Sequence, residues 1–286
     1  MADIKFQKVA VLGAGTMGAG IAQVCAQAGS EVVLCDLSDE FVSEGVRRVA
    51  AFLQKGVDKG KTTEGQRDEA LSRISTSTDR AAACVDVDLV VEAVPEKLEL
   101  KNGIFKELGE VAPARCVLAS NTSSLSLAKV FDGVKGPARC IGWHFFNPVP
   151  IMKLLELVAT DATSDETIAA SQAYGRLLNK EPILVKDSPG FASSRLGVCL
   201  GLEAIRMLES GVASAEDIDK AMVLGYGHPM GPLKLTDLVG LDVRLAIADY
   251  LREELGLEGF AAPQLMREMV AEGKLGKKTG QGFYTW

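Results

Sequence analysis

Lys8-Val9-Ala10-Val11-Leu12-Gly13-Ala14-Gly15-Thr16-Met17-Gly18 is the stretch whose reading decides the fold. Its apolar run reads as a short buried strand, its glycines as a tight turn, and residues 19–27 as a helix stopped by Gly29. A dinucleotide-binding fingerprint requires this succession. Gly13 permits the turn, Gly15 lets the main chain approach a pyrophosphate, and Gly18 lets helix and strand pack closely. The start of the helix, with Thr16 and Met17, offers unpaired N–H groups to the anion. A second strand, Glu31-Val32-Val33-Leu34-Cys35, ends in Asp36, where a carboxylate takes the ribose hydroxyls. Leu37 and Ser38 bring no arginine for a 2′-phosphate, which favours NAD over NADP.

Working outward, residues 39–74 read as a charged helical excursion, a solvated face whose Lys55, Lys59 and Lys61 could also meet substrate phosphates. Residues 88–94, 116–120, 141–144, 152–158 and 182–186 read as further strands, with helices over 96–111 and 165–178. The strand ending at Ser120 opens into Asn121-Thr122-Ser123-Ser124, at the end where open α/β sheets bind ligands. Ser124 could equally cap a helix beginning at Leu125. At Asp187-Ser188-Pro189-Gly190 the periodicity changes. Ser188 reads as an N-cap with Pro189 at the first helical position, and residues 191–209 form a helix apolar on more than one face. Ser214 starts another helix in a capping-box pattern, and a helix over 241–255 is closed by Gly256. The expected fold is therefore α/β. A Rossmann-type, doubly wound, mostly parallel sheet occupies residues 1–187, and an all-α domain occupies 188–286.

His144, one of two histidines, precedes Glu156, a lone carboxylate in the run Leu154-Leu155-Glu156-Leu157-Val158. Both strand faces around Glu156 are apolar, so it cannot easily reach water. A buried carboxylate needs a partner, and the imidazole across the Pro148-Val149-Pro150 turn is the candidate. Two readings follow: a core histidine beside an edge-strand glutamate, or a general base tuned by its carboxylate. The dinucleotide fingerprint favours the second. His228, in a Gly/Pro loop with no acid embedded nearby, reads as structural or exposed.

A net charge of −7 argues against a general nucleic-acid or membrane-surface partner. No apolar run approaches the length of a membrane span, and the charged start reads directly into a strand, with no expected leader. The scattered cysteines, Cys25, Cys35, Cys84, Cys116, Cys140 and Cys199, form no CxxC pair. They read as reduced core residues of a cytoplasmic protein without a metal site.

The ordered segments GAGTMGAGIA, VVEAVPE, SNTSSL, HFFNPVPIMKLLE, KDSPGF, MGPLKLTDLVGLD and GKKTGQGFY resemble the monofunctional 3-hydroxyacyl-CoA dehydrogenases, above all bacterial 3-hydroxybutyryl-CoA dehydrogenases. The resemblance runs from about residue 8 to the end. It implies NAD-dependent interconversion of a short-chain (S)-3-hydroxyacyl-CoA and its 3-oxoacyl-CoA in a homodimer. By the same resemblance His144 is base and acid, Glu156 its partner, and Ser123 bonds the reacting oxygen. Asn147 and Ser123 lie near the nicotinamide, Glu96, Lys101 and Lys278 touch the dinucleotide, and Lys59 meets CoA. The chain departs from the family pattern at Ser194, where Asn is usual and a second substrate contact is implied, and at Phe52, where Ser is common. The shorter reach of Ser194 points to an altered acyl substrate. Alternatives are a relative acting on a larger acyl-CoA or a non-CoA hydroxy acid, and a crystallin-like NAD-binding protein without catalysis.

Overall fold

A computed structural model describes residues 6–286, and the chain folds as two compact units that divide between Asp187 and Ser188. In the first unit, β1 (Lys8–Leu12) leads through the glycine turn into α1 (Thr16–Gln27) and then β2 (Glu31–Cys35). The excursion that follows is α2 (Asp39–Asp58) and α3 (Glu64–Ser72), each started by a hydroxyl cap, Ser38 and Thr63. Next come β3 (Ile74–Ser77), α4 (Arg80–Cys84), β4 (Leu89–Glu92), α5 (Leu98–Val111), β5 (Val117–Ser120) and the single turn α6 (Leu127–Val130). The unit closes with β6 (Cys140–Phe145), β7 (Leu154–Ala159), α7 (Asp165–Leu177) and β8 (Glu181–Lys186).

These strands form one sheet in the order β3-β2-β1-β4-β5-β6-β7-β8. Every pairing is parallel except β6 with β7. The exception has a length cause: the β6–β7 link is too short for the crossover a parallel partner requires. The chain order reverses between β1 and β4, which opens a crevice at the C-terminal ends of the strands. One face of β6 and β7 contributes Trp143, Phe145, Leu155 and Leu157 to the core, where Phe6, Trp143 and Tyr174 meet ring to ring. The opposite face carries Gly142, His144, Glu156 and Val158.

Several expectations are corrected. The edge strand β3 is absent from the sequence reading, because Ile74-Ser75-Thr76-Ser77 has no apolar run and is half exposed. Ser124 caps nothing; α6 begins two residues later on Ser126, and the Asp187 carboxylate accepts the Leu127 and Ala128 N–H groups at 3.1 and 2.8 Å.

The second unit consists of α8 (Ser193–Glu209), α9 (Ala215–Tyr226), α10 (Pro232–Val239), α11 (Leu241–Leu255) and α12 (Gln264–Ala271). Here Ser188 is no N-cap and Pro189 opens no helix. Gly190 and Phe191 both take positive φ, 73° and 51°, which turns the chain before α8 starts without a side-chain cap. Val198, Leu202 and Ile205 on α8 are buried in the unit's core, whereas Leu196 on its other stripe is 71% exposed. Ser214 caps α9 and left-handed Gly256 closes α11, as their sequence signals imply. All six cysteines are free, but Cys199 on α8 is exposed and so is no core residue.

Candidate active site

The glycine turn acquires its shape from packing on one side and openness on the other. Gly13 sits at φ 101°, and a Cβ there would meet the Ala93 carbonyl at 2.6 Å. A Cβ on Gly18 would collide with the Gly13 carbonyl. Gly15 differs: a Cβ there would have nothing of the protein within 4 Å. The first turn of α1 has neither a side-chain cap nor an acidic residue, so its N–H groups suit an anion.

Around this turn lies a cavity of about 590 Å³, lined by Gly13, Gly15, Thr16, Met17, Asp36 and Val94, among others. Asp36 anchors it: Oδ2 accepts the Ala14 N–H at 2.6 Å and Oδ1 the Leu37 N–H at 2.7 Å. Arg48 and Arg80, which the sequence reading passed over, also line it. Arg48 donates to Thr16 Oγ1 at 3.1 Å and to Glu44, and Arg80 pairs with Glu107. Arg48 lies three turns along α2 and Arg80 opens α4, so no local motif marks either of them. An open glycine, an uncapped helix start and a carboxylate at the end of β2 fit a dinucleotide.

At the end of β4, Glu92 is fully buried and meets the equally buried Lys101 at 2.6 Å. Ser120 donates to the other Glu92 oxygen at 2.6 Å, and the Val94 N–H to the first at 2.8 Å. Lys101 also bonds the Val94 carbonyl and lies 3.3 Å from Glu96. Glu96 in turn accepts from the Thr122 hydroxyl and, at 2.9 Å, from the Ser123 N–H. The ammonium of Lys101, expected at the dinucleotide, is thus turned inward and spent on the protein. Glu92 and Thr122 were not singled out in the sequence. Glu92 reads there as one more residue of a strand, and only the fold brings α5 against it.

On the next two strands, register places His144 directly opposite Glu156. His144 Nδ1 lies 2.6 Å from Glu156 Oε2; the ring is 5% exposed and the carboxylate fully buried. The Phe146 ring packs against the imidazole with centroids 4.4 Å apart. Because β5 and β6 are parallel with Ser120 opposite Gly142, the Ser123 loop and His144 emerge at the same sheet edge. Asn121 fastens that edge by accepting the Phe145 N–H at 2.9 Å. Asn147 is exposed just beyond, at a cis bond to Pro148. Lys59 is exposed at the C-terminal end of α2. Of the remaining expected residues, Ser194 is half-buried in the first turn of α8, and Lys278 is exposed and paired with Asp242 at 2.5 Å, both in the second unit.

Residues 8–188 match the model of the 3-hydroxyacyl-CoA dehydrogenase NAD binding domain, and residues 190–286 that of the 3-hydroxyacyl-CoA dehydrogenase C-terminal domain. The chain belongs to the 3-hydroxyacyl-CoA dehydrogenase family. It is 45% identical over 282 residues to the 3-hydroxybutyryl-CoA dehydrogenase of Mycobacterium tuberculosis, covering 98% of each chain. To the human mitochondrial hydroxyacyl-coenzyme A dehydrogenase it is 44% identical over 285 residues, covering 97% of this chain and 90% of that one. Among solved structures, the (S)-3-hydroxybutyryl-CoA dehydrogenase of Ralstonia eutropha superposes with a TM-score of 0.94 at 44% identity, over 98% of this chain and 99% of that one. Within this dehydrogenase the two family domains meet near residues 188–190, where the two compact units also divide. No described helix is long and apolar enough to cross a membrane.

Proposed function

We propose that this family member oxidises (S)-3-hydroxyacyl-CoA thioesters to 3-oxoacyl-CoA with NAD, and runs the reverse reduction, by proton transfer at His144. The observation that carries this is the buried 2.6 Å contact between His144 Nδ1 and Glu156 Oε2 at the ligand-binding edge of the sheet. With the Nδ1 proton held by Glu156, Nε2 carries the lone pair that accepts the C3 hydroxyl proton. Glu156 then stabilises the imidazolium that forms. The bound nicotinamide supplies the hydride acceptor. Ser123, whose backbone is fixed by Glu96, bonds the reacting oxygen, and Asn147 serves the nicotinamide side. Asp36 takes the ribose hydroxyls, and Gly15 with the first turn of α1 the pyrophosphate. Lys101 acts through Glu96, as a positioning residue.

Short acyl chains, a CoA contact at Lys59 and a dinucleotide contact at Lys278 belong to the same reading, as does a reduced, cytoplasmic setting supported by six free cysteines. In the helical unit Ser194 is read as a substrate contact, and the unit dimerises. Exposed Leu196, Val212, Leu224 and Tyr226 support that second role. A monomer in sedimentation at micromolar concentration would remove it.

The test is the initial rate of NADH consumption with acetoacetyl-CoA beside free acetoacetate. Reduction of the thioester alone is expected. His144→Ala should lower turnover about 10²–10⁴-fold while leaving NADH affinity nearly unchanged. Unaltered turnover refutes the assignment. In Asp36→Ala the loss should fall on NAD affinity, read by fluorescence titration, and equal affinity would end the argument for the ribose contact.

A further inference from the structure

The charged side chains that line the cavity at the glycine turn are Asp36, Glu44, Arg48 and Arg80. A dinucleotide brings a doubly charged pyrophosphate into that space, so its reception depends on how free each cation is. Arg80 is already committed. Its Nε donates to one Glu107 oxygen at 3.2 Å and its Nη2 to the other, a fork that also raises the Arg80 pKa. Two-point pairs of this kind are among the strong ones.

Arg48 is held more loosely, and beside the helix start. It is exposed; its Nε lies 3.2 Å from Glu44 Oε1, one turn earlier on α2, and its Nη1 donates to Thr16 Oγ1 at 3.1 Å. Nη2 bonds nothing among the described residues. Thr16 is the first residue of α1, whose first-turn N–H groups have no side-chain cap. The guanidinium therefore stands one hydroxyl away from the anion-binding end of the helix. Packing fixes this approach. A Cβ on Gly45 would stand 2.9 Å from the Ala14 side chain and 3.0 Å from its carbonyl, so α2 is pressed against the glycine turn next to Glu44. Glu44, for its part, does not depend on Arg48. Arg47 Nε takes the other oxygen, Oε2, at 2.9 Å, and that bond is the first cause holding the Glu44 carboxyl below its usual range. An exposed helical ion pair contributes little, so Arg48 can leave Glu44 for a stronger partner while Glu44 keeps a counter-charge.

We propose that Arg48 is a cofactor-binding residue that exchanges Glu44 for the pyrophosphate of NAD. The inference rests on the reading of the first turn of α1 as the pyrophosphate subsite. A planar guanidinium with donors on adjacent nitrogens matches the oxygens of a phosphate, and Nε and Nη2 are both available once Glu44 is released. Its charge also offsets Glu44 and Asp36, whose field opposes an incoming anion.

The experiment measures Kd for NADH and for ADP, by fluorescence titration and competition, at low salt and at about 0.5 M salt. In Arg48→Met both should bind about 10-fold more weakly at low salt, the size of one charge-assisted hydrogen bond. That difference should shrink at high salt, where an exposed charge is screened. Arg48→Lys, which keeps the charge, should recover part of the loss. Glu44→Gln should bind ADP more tightly than wild type, because it frees Arg48 and removes a repelling charge. Unchanged ADP affinity in Arg48→Met overturns the proposal. An equal loss at both salt concentrations also overturns it, since Arg48 would then only pack against Thr16. Weaker ADP binding by Glu44→Gln would overturn the exchange of partners. A wild-type protein that binds neither NADH nor ADP would remove the pyrophosphate reading and this inference together. ADP binding that is indifferent to Arg48 would remove this inference alone.

Discussion

Lys101 and Arg244 are both buried cations, and their surroundings differ in kind. Lys101, 1% exposed, has Glu92 at 2.6 Å and the Val94 carbonyl at 3.2 Å, and the remaining Glu92 oxygen is taken by Ser120. Arg244, 7% exposed, has one backbone carbonyl and no acid among the described residues. A buried ion whose bonds are complete is scaffold, and here it braces the ends of β4 and β5, which lead into Glu96 and the Ser123 loop. A buried ion left without a counter-charge costs the fold stability. Lys180 lies between the two: it is buried and holds the Val149 and Met152 carbonyls, and so ties down the turn after Asn147.

Breaking these sites one at a time should give unequal effects. Lys101→Met should cost about 3–5 kcal/mol, because it strands the fully buried Glu92. A urea midpoint within error of wild type would contradict the scaffold role. Adding Glu92→Leu to that variant should recover part of the loss, since an apolar pair of similar volume no longer buries a lone charge. Lys180→Met should cost about 1–3 kcal/mol through the two carbonyls left without a donor, read as faster amide exchange in residues 149–152. The smallest effect is expected for Arg244→Met, within about 1 kcal/mol of wild type or more stable, since it removes an uncompensated charge. A loss as large as that of Lys101→Met would mean that Arg244 also serves as scaffold.

The parts of the fold that were legible in the sequence are those written in local periodicity. The glycine turn between β1 and α1, the strand ending at Asp36 and the Ser214 cap each depend on residues within one or two turns of each other. The His144–Glu156 pair was also legible, because a short link forces its two strands to lie antiparallel and adjacent. β3 was hidden because an edge strand four residues long needs no apolar run. The start of α8 was misplaced because Gly190 and Phe191 adopt positive φ, which a Ser-Pro signal does not reveal.

By itself, then, the sequence determined the order of layers, the dinucleotide turn, the pairing of His144 with Glu156 and the family, since these follow from spacing along the chain. Tertiary structure alone decided where Lys101 and Arg244 point. In the sequence Lys101 stands as a dinucleotide contact implied by the resemblance, and nothing there sets Arg244 apart from the other charges of its helix. Lys101 is turned inward by a glutamate on β4, and Arg244 by glycines on α8 more than forty residues away. The physical reason is that burying a charge depends on what lies opposite it in space, and periodicity along one helix carries no information about the neighbouring element.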